Sequence, residues 1–130
     1  MIGDQEVAAA ARAAALGAYA PYSHFRVGAV VVGTGGEVHS SANVENAAFP
    51  SSQCAEANAI AYAVSQGVRS IEAVSVACID ADSLDRAYPC GRCRQIMSEF
   101  GVGRIIVTTA SDEIAVHTLD ELIPFRFQLE

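Results

Sequence analysis

Two short cysteine motifs restrict this chain more than anything else in it: Cys54-Ala55-Glu56, and further along Pro89-Cys90-Gly91-Arg92-Cys93. Each opens a stretch with helical character. Cys54 to Gln66 carries Ile60, Tyr62 and Val64 among alanines and stops at Gly67, and Gly91 to Phe100 stops at Gly101. The two-residue gap between Cys90 and Cys93 puts both thiolates on one side of a first helical turn, ordinary spacing for two ligands of a tetrahedral zinc. Cys54 offers a third sulfur from the start of another helix. The unpaired N–H groups and the dipole at helix N-termini favour thiolates there. A fold that brings the three sulfurs together has to place two helix N-termini side by side.

Three ligands leave one of zinc's four positions open, as catalytic sites do, whereas structural sites close all four. A fourth protein ligand would come from Cys78, His24, His39 or His117. Cys78 lies among alternating apolar residues, where a cysteine reads as a small core side chain. A Cys-x-x-Cys pair alone also fits a redox dithiol or half of a structural zinc site, and the upstream Cys-Ala-Glu argues against both. Glu56 decides between chemistries. Positions two apart in a regular helix are turned about 200° from each other, so Cys54 and Glu56 face one site only if Cys54 is the helix cap. A carboxylate there could take a proton from water activated by the metal. Three thiolates and Zn²⁺ sum to one negative charge, so a neighbouring cation is called for, and Arg92 and Arg94 are the candidates.

The chain's 130 residues, 52% apolar and 18% charged, fit one domain spanning 1–130. All eight cations are arginine, and the net charge of −7 gives no general attraction to phosphate backbones or anionic lipids. No apolar run approaches the roughly 18 residues that span a bilayer. Met1 to Glu6 carry two acids and no base, and Arg12 interrupts the apolar run behind them, which is not the pattern of a secretory signal. A cytoplasmic protein with reduced thiols is expected.

Residues 5–19 are alanine-rich and helical up to Gly17, with small side chains suited to close packing on a sheet. Pro21-Tyr22-Ser23-His24 marks a turn. Phe25 to Val32 reads as a strand, Gly33-Thr34-Gly35-Gly36 as a hairpin turn and Glu37 to Ala42 as its second strand. Asn43 to Gln53 is irregular. Further strands are expected over Ile71–Ile79, Arg104–Thr109 and Ile114–His117, then a helical turn over Thr118–Leu122 with Thr118 and Glu121 as a capping box. The order α-β-β-α-β-α-β-β-α predicts an α/β fold with a mixed sheet covered by helices. Its first two strands are joined as a hairpin, and the helix-separated ones run parallel.

Five motifs in fixed order resemble the small homo-oligomeric cytidine deaminases of the zinc-dependent nucleoside deaminase superfamily. They are P-Y-S-H-F-x-V-G-A (21–29), N-V-E-N-A (43–47), C-A-E (54–56), P-C-G-R-C-R-Q (89–95) and E-L-I-P (121–124), and the resemblance runs from Pro21 to Phe127. It implies a three-layer α-β-α sandwich with a mixed five-stranded sheet, and hydrolysis of cytidine and 2′-deoxycytidine in pyrimidine salvage. It also implies one Zn²⁺ per subunit on Cys54, Cys90 and Cys93, with Glu56 as proton shuttle. Asn43 and Glu45 would hold the ribose hydroxyls, Phe25 would pack beside the base, and the Ala55 backbone would touch the pyrimidine. Phe49 and Phe127 would reach a neighbouring subunit's site in a homotetramer, with neither nucleic acid nor membrane as partner. Residue chemistry agrees for Asn43 and Glu45, since residues two apart in an extended segment point the same way.

The chain departs from many such relatives in three places. Ala57 stands where they carry arginine after C-A-E, and the resemblance implies that Arg92 would take over beside the thiolates. Phe49 replaces a tyrosine and loses a hydroxyl. Ser51-Ser52-Gln53 makes the loop near the base more polar. Three other readings compete. P-C-G-R-C-R-Q also resembles aminonucleoside deaminases of the blasticidin type, although N-V-E-N fits a free ribose. Polynucleotide deaminases usually carry histidine where Cys54 stands and need a basic groove. A non-catalytic zinc-binding module would have no use for Glu56.

Overall fold

The valine run that follows Phe25 becomes the strand on which both faces of the protein are built. A computed structural model describes residues 2–130. In chain order its elements are α1 (Asp4–Ala15), β1 (Val27–Gly33), β2 (Val38–Ala42), α2 (Ala55–Ser65), β3 (Ile71–Cys78), α3 (Gly91–Glu99), β4 (Arg104–Thr108), β5 (Ile114–His117) and α4 (Leu119–Leu122). Single 3₁₀ turns cover Phe49–Ser51 and Leu84–Arg86.

The five strands form one sheet in the order β2-β1-β3-β4-β5. β1 is antiparallel to both β2 and β3, β3 and β4 are parallel, and β4 and β5 are antiparallel. The helix-separated strands β2, β3 and β4 therefore run in one direction, as their connections require. The hairpin partner β1 inserts between β2 and β3. β5 returns through a short turn and runs the other way.

Side chains alternate across β1, so its continuous apolar run serves two cores. Val30 and Val32 pack with Ala73, Ala77 and Ile106 beneath Val7, Ala8 and Ala11 of α1. Ala29 and Val31 face the opposite way, with Val74, Val76, Ile105 and Val107 against Ala59, Ile60, Ala63 of α2 and Met97 of α3. This is the expected three-layer α-β-α arrangement. The alanines of α1 are explained at Gly28. A Cβ there would lie 2.1 Å from the Ala11 carbonyl oxygen and 2.4 Å from the Ala15 nitrogen, so helix backbone rests directly on strand backbone. The small residues of α1 thus serve packing within the chain. Arg12 ties the helix to the end of β4, donating to the Thr109 carbonyl at 2.9 Å and the Thr108 hydroxyl at 2.7 Å. The Thr118–Glu121 capping box forms as expected.

Topology also fixes where a site can form. α2 follows β2 and α3 follows β3, and those two strands run the same way, so both helix N-termini fall at the carboxyl edge of the parallel strands. Such an edge, where strand order changes, is where open α/β sheets bind ligands. β1 begins at that edge, with Val27 beside Cys78 and Gly28 beside Ala42, and carries Phe25 there.

Candidate active site

The two cysteine motifs meet at this edge. Cys54 is the N-cap of α2 with extended backbone (φ −72°, ψ 148°), and Cys90 is the N-cap of α3 (φ −69°, ψ 169°). Cys93 sits one turn into α3 and is fully buried. The three Sγ atoms lie within 4.8 Å of one another, and no other group of three potential ligands among the described residues comes so close. Neither Cys78 nor any of His24, His39 and His117 joins the cluster.

Electrostatics distinguish the three thiols. Hydrogen bonding from Cys93 first, and then from Cys90, lowers the Cys54 thiol to about 6 against the opposing effect of burial, and the Arg92 guanidinium adds to the fall. Cys93 is pushed far above the ordinary thiol range as the donor to Cys54, and burial and the nearby Glu56 add to the rise. Arg94, the other candidate cation, is occupied elsewhere: its Nε donates to the Pro89 carbonyl at 2.8 Å and its Nη1 to the Leu122 carbonyl at 2.6 Å. Three converging sulfurs, two on helix caps and one in the first turn of α3, with one adjacent arginine, suit a thiophilic cation of zinc's preferences and leave a fourth tetrahedral position without a protein ligand.

The extended backbone of Cys54 lets Glu56 face the same side as the sulfur two residues before it. Glu56 is only 5% exposed. Burial raises its carboxyl to about 7, with a smaller push from the Cys54 charge and an opposing hydrogen bond from its own backbone N–H. A carboxyl balanced near neutrality can both accept and return a proton.

Cys54, Cys90 and Glu56 line a cavity of ≈ 240 Å³ together with Phe25, Asn43 and Glu45. Asn43 is buried; its Oδ1 accepts from the Val27 N–H and its Nδ2 donates to the Phe25 carbonyl, each at 2.9 Å. It therefore holds the start of β1 and keeps one lone pair and one N–H unspent. Glu45 is fixed by the P-Y-S-H loop. Its Oε1 accepts from the backbone N–H groups of Tyr22 and Ser23 at 3.0 Å each, and its Oε2 accepts from the Ser23 hydroxyl. The Ser23 side chain is the largest influence holding this carboxylate below its usual range. His24 enables the loop to turn, with φ of 57° and its N–H donating to the Ala20 carbonyl. P-Y-S-H-F and N-V-E-N are separate motifs in the sequence, and the tertiary structure joins them into one device.

Sequence reasoning missed two further contributions. Arg26 grips Asp80 with its Nε at 2.9 Å, its Nη2 at 2.8 Å and its backbone N–H at 2.8 Å, which anchors the residue after Phe25 to the end of β3. That grip holds the Asp80 carboxyl down at about 2. Arg86 and Tyr88 also line the cavity, and so do Ser52 and Gln53 of the polar loop. Cys78 ends β3 instead of lying mid-strand. It is buried and borders the cavity, its Sγ donates weakly to the Ala87 carbonyl at 3.6 Å, and burial pushes its thiol up to about 12. Phe49 and Phe127 stand apart from this cavity, each 70% exposed. Phe49 meets Tyr22 edge-on at 5.9 Å, and the Phe127 carbonyl accepts from Gln95 Nε2.

Residues 1–109 match a family model described as the cytidine and deoxycytidylate deaminase zinc-binding region. A cytidine deaminase of Sporosarcina psychrophila is 39% identical over 115 residues, which cover 87% of this chain and 82% of that protein. The crystal structure of a cytidine deaminase from Burkholderia pseudomallei superposes with a TM-score of 0.86 at 36% identity, covering 93% of this chain and 96% of the other. More distant is a blasticidin-S deaminase of Bacillus cereus, 31% identical over 106 residues, or 78% of this chain and 76% of that one.

Proposed function

The chain belongs to the cytidine and deoxycytidylate deaminase zinc-binding family, and from that premise we propose that it hydrolyses cytidine and 2′-deoxycytidine to the uracil nucleosides and ammonia. One observation carries the reading: a buried glutamate, raised to about 7, lines one cavity with Cys54 and Cys90, whose sulfurs converge with that of Cys93. Cys54, Cys90 and Cys93 would hold one Zn²⁺ per subunit. When bound, zinc lowers the pKa of water towards ~7 and so supplies a nucleophile near neutral pH.

The rest is work for the chain's own residues. Glu56 takes a proton from the attacking water on a carboxylate oxygen and delivers it to ring N3 as the water oxygen bonds to C4. It then takes the second proton from the oxygen now bonded to C4 and gives it to the exocyclic nitrogen, which leaves as ammonia as the C4–N bond breaks and the C4 carbonyl forms. Arg92 offsets the thiolate charge. Asn43 and Glu45 present one N–H and carboxylate lone pairs to the sugar hydroxyls, Phe25 flanks the base and the Ala55 backbone borders it. The −7 charge suits a nucleoside without phosphate.

The proposal extends to assembly. Phe49 and Phe127, exposed and clear of their own cavity, would enter the sites of neighbouring subunits in a homotetramer. Free thiols at the site are consistent with a cytoplasmic enzyme of pyrimidine salvage. Steady-state rates on cytidine, deoxycytidine and blasticidin S, measured with zinc content, test the reading. Turnover of both nucleosides at one zinc per subunit is expected. Turnover of blasticidin S alone would move the chain to the antibiotic deaminases, and no turnover at full zinc occupancy would leave only a binding module.

A further inference from the structure

The E-L-I-P motif has no part in the chemistry above, yet its corner of the fold reaches the cavity through two hydrogen-bonded struts. Of the three clustered sulfurs, Cys90 has the least regular support. It is exposed, its backbone is extended, and the segment before it, 87–89, belongs to no helix or strand. Pro89 has no N–H with which to anchor that segment.

Ala87 is held by its N–H to the Leu84 carbonyl and by Cys78 Sγ, and two further side-chain contacts hold the rest, one on each side of the Tyr88–Pro89 peptide link. The Tyr88 hydroxyl lies 2.7 Å from His117 Nε2, with the two rings edge-on at 5.2 Å. The Pro89 carbonyl accepts from Arg94 Nε at 2.8 Å, while the same guanidinium donates through Nη1 to the Leu122 carbonyl at 2.6 Å. Both struts end on the β5–α4 corner, 117–122. That corner is itself closed by its capping box, where Glu121 Oε1 accepts from the Thr118 N–H at 2.9 Å and Thr118 Oγ1 accepts from the Glu121 N–H at 3.2 Å. It is rooted in the core by Leu119 and Leu122. His117 Nδ1 lies 3.9 Å from Glu121 Oε1, and with the ring proton on Nδ1 its Nε2 accepts from the Tyr88 hydroxyl.

We propose that the β5–α4 corner is the brace that sets the position of Cys90, with Tyr88 and His117 as positioning residues for the metal ligand set. Outer hydrogen bonds of this kind orient ligands and are worth about 10- to 100-fold in metal affinity at other sites. The proposal rests on the reading of Cys54, Cys90 and Cys93 as zinc ligands, and one experiment separates the two.

The zinc-loaded protein is challenged with a chromogenic chelator, and the rate of zinc transfer is followed for the parent, Tyr88→Phe, His117→Leu, the double variant and His117→Gln. Cobalt-loaded forms provide the thiolate-to-metal absorption band. Tyr88→Phe and His117→Leu are expected to release zinc about 10-fold faster and to shift the cobalt band. The double variant should be no worse than either single change, since both remove one bond. His117→Gln keeps an acceptor for the Tyr88 hydroxyl and should hold zinc as the parent does. A parent that takes up no zinc overturns the ligand reading and the brace with it. A parent that holds zinc while Tyr88→Phe and His117→Leu release it at the parent's rate overturns the brace alone. Failure of His117→Gln to restore retention also overturns it, because the bond would then not be what matters.

Discussion

Replacing Glu56 by glutamine separates what this residue does for catalysis from what it costs the fold. The carboxyl is 5% exposed and raised from 4.5 to about 7, chiefly by burial. A raised acid means that the folded state binds the proton more tightly than the unfolded chain. Below pH 4.5 both states carry the proton and the shift contributes nothing. Between 4.5 and 7 the unfolded chain releases it first, and folding loses about 1.4 kcal/mol per pH unit. Above 7 the loss is complete, at about 3 kcal/mol for the 2.5-unit gap between those two values. Glutamine has nearly the same shape and no charge, so in metal-free protein Glu56→Gln should gain about 3 kcal/mol relative to the parent between pH 4.5 and pH 8. Any fixed cost of burying the amide cancels in that difference. Urea unfolding of chelator-treated parent and variant across this range measures it. In the zinc-loaded form the same variant should keep its metal and lose activity by at least the 10²- to 10⁴-fold that a positioned proton carrier supplies. A stability difference that does not change with pH would refute the argument that burial, through proton affinity, poises this carboxyl. Undiminished turnover would refute its role as proton carrier.

Three further outcomes are expected. Gly28→Ala should destabilise the fold by about 3 kcal/mol or more, at the upper end of overpacking costs, because its methyl would meet the Ala11 carbonyl oxygen at 2.1 Å and α1 cannot retreat without uncovering its core; a shift in the denaturation midpoint equivalent to under 1 kcal/mol would contradict the backbone contact. Ser75→Ala should be neutral or stabilising by up to about 1 kcal/mol, since the Ser75 hydroxyl is buried with no hydrogen-bond partner; clear destabilisation in the same assay would mean that the hydroxyl is satisfied. Glu45→Gln should raise KM for cytidine well above its effect on kcat, and in the parent KM should hold steady as pH falls to about 5, because Ser23 keeps the Glu45 carboxyl below its usual range; a KM that climbs between pH 7 and 5 in step with Glu45 protonation would count against this.

The local pattern of the chain foretold most of its elements because the forces involved are local. Alanine propensity, a glycine stop and a Thr-x-x-Glu box act over a few residues, and α1, α2 and α4 lie within a residue or two of where these signals put them. The side-chain pattern starts β1 at Phe25, and the strand begins at Val27. Phe25 and Arg26 carry strand-like side chains, but their backbone is committed to the Asn43 amide and to Asp80. The Asp80 grip on Arg26 spans 54 positions and leaves no periodic trace in the sequence. For the same reason nothing in the sequence pairs Tyr88 with His117, 29 positions away.

By itself, the sequence determined the kind of chemistry available: three thiols at helix starts, one acid two residues after the first, a single run of small residues at the N-terminus, and no excess of positive charge. These follow from residue type and from spacings shorter than a helical turn. What the sequence left open was which cation neighbours the thiolates, whether Cys78 or a histidine completes the cluster, and what holds Glu45. Tertiary structure decided all three. It seats Arg92 by Cys54 and spends Arg94 on Pro89 and Leu122, it keeps the fourth cysteine and the histidines out of the cluster, and it folds the Tyr22–Ser23 backbone over the Glu45 carboxylate. The physical reason is range. A hydrogen bond or an ion pair is fixed by distances of about 3 Å, and only the register of the sheet and the close seat of α1 on Gly28 bring residues far apart in the chain to that separation.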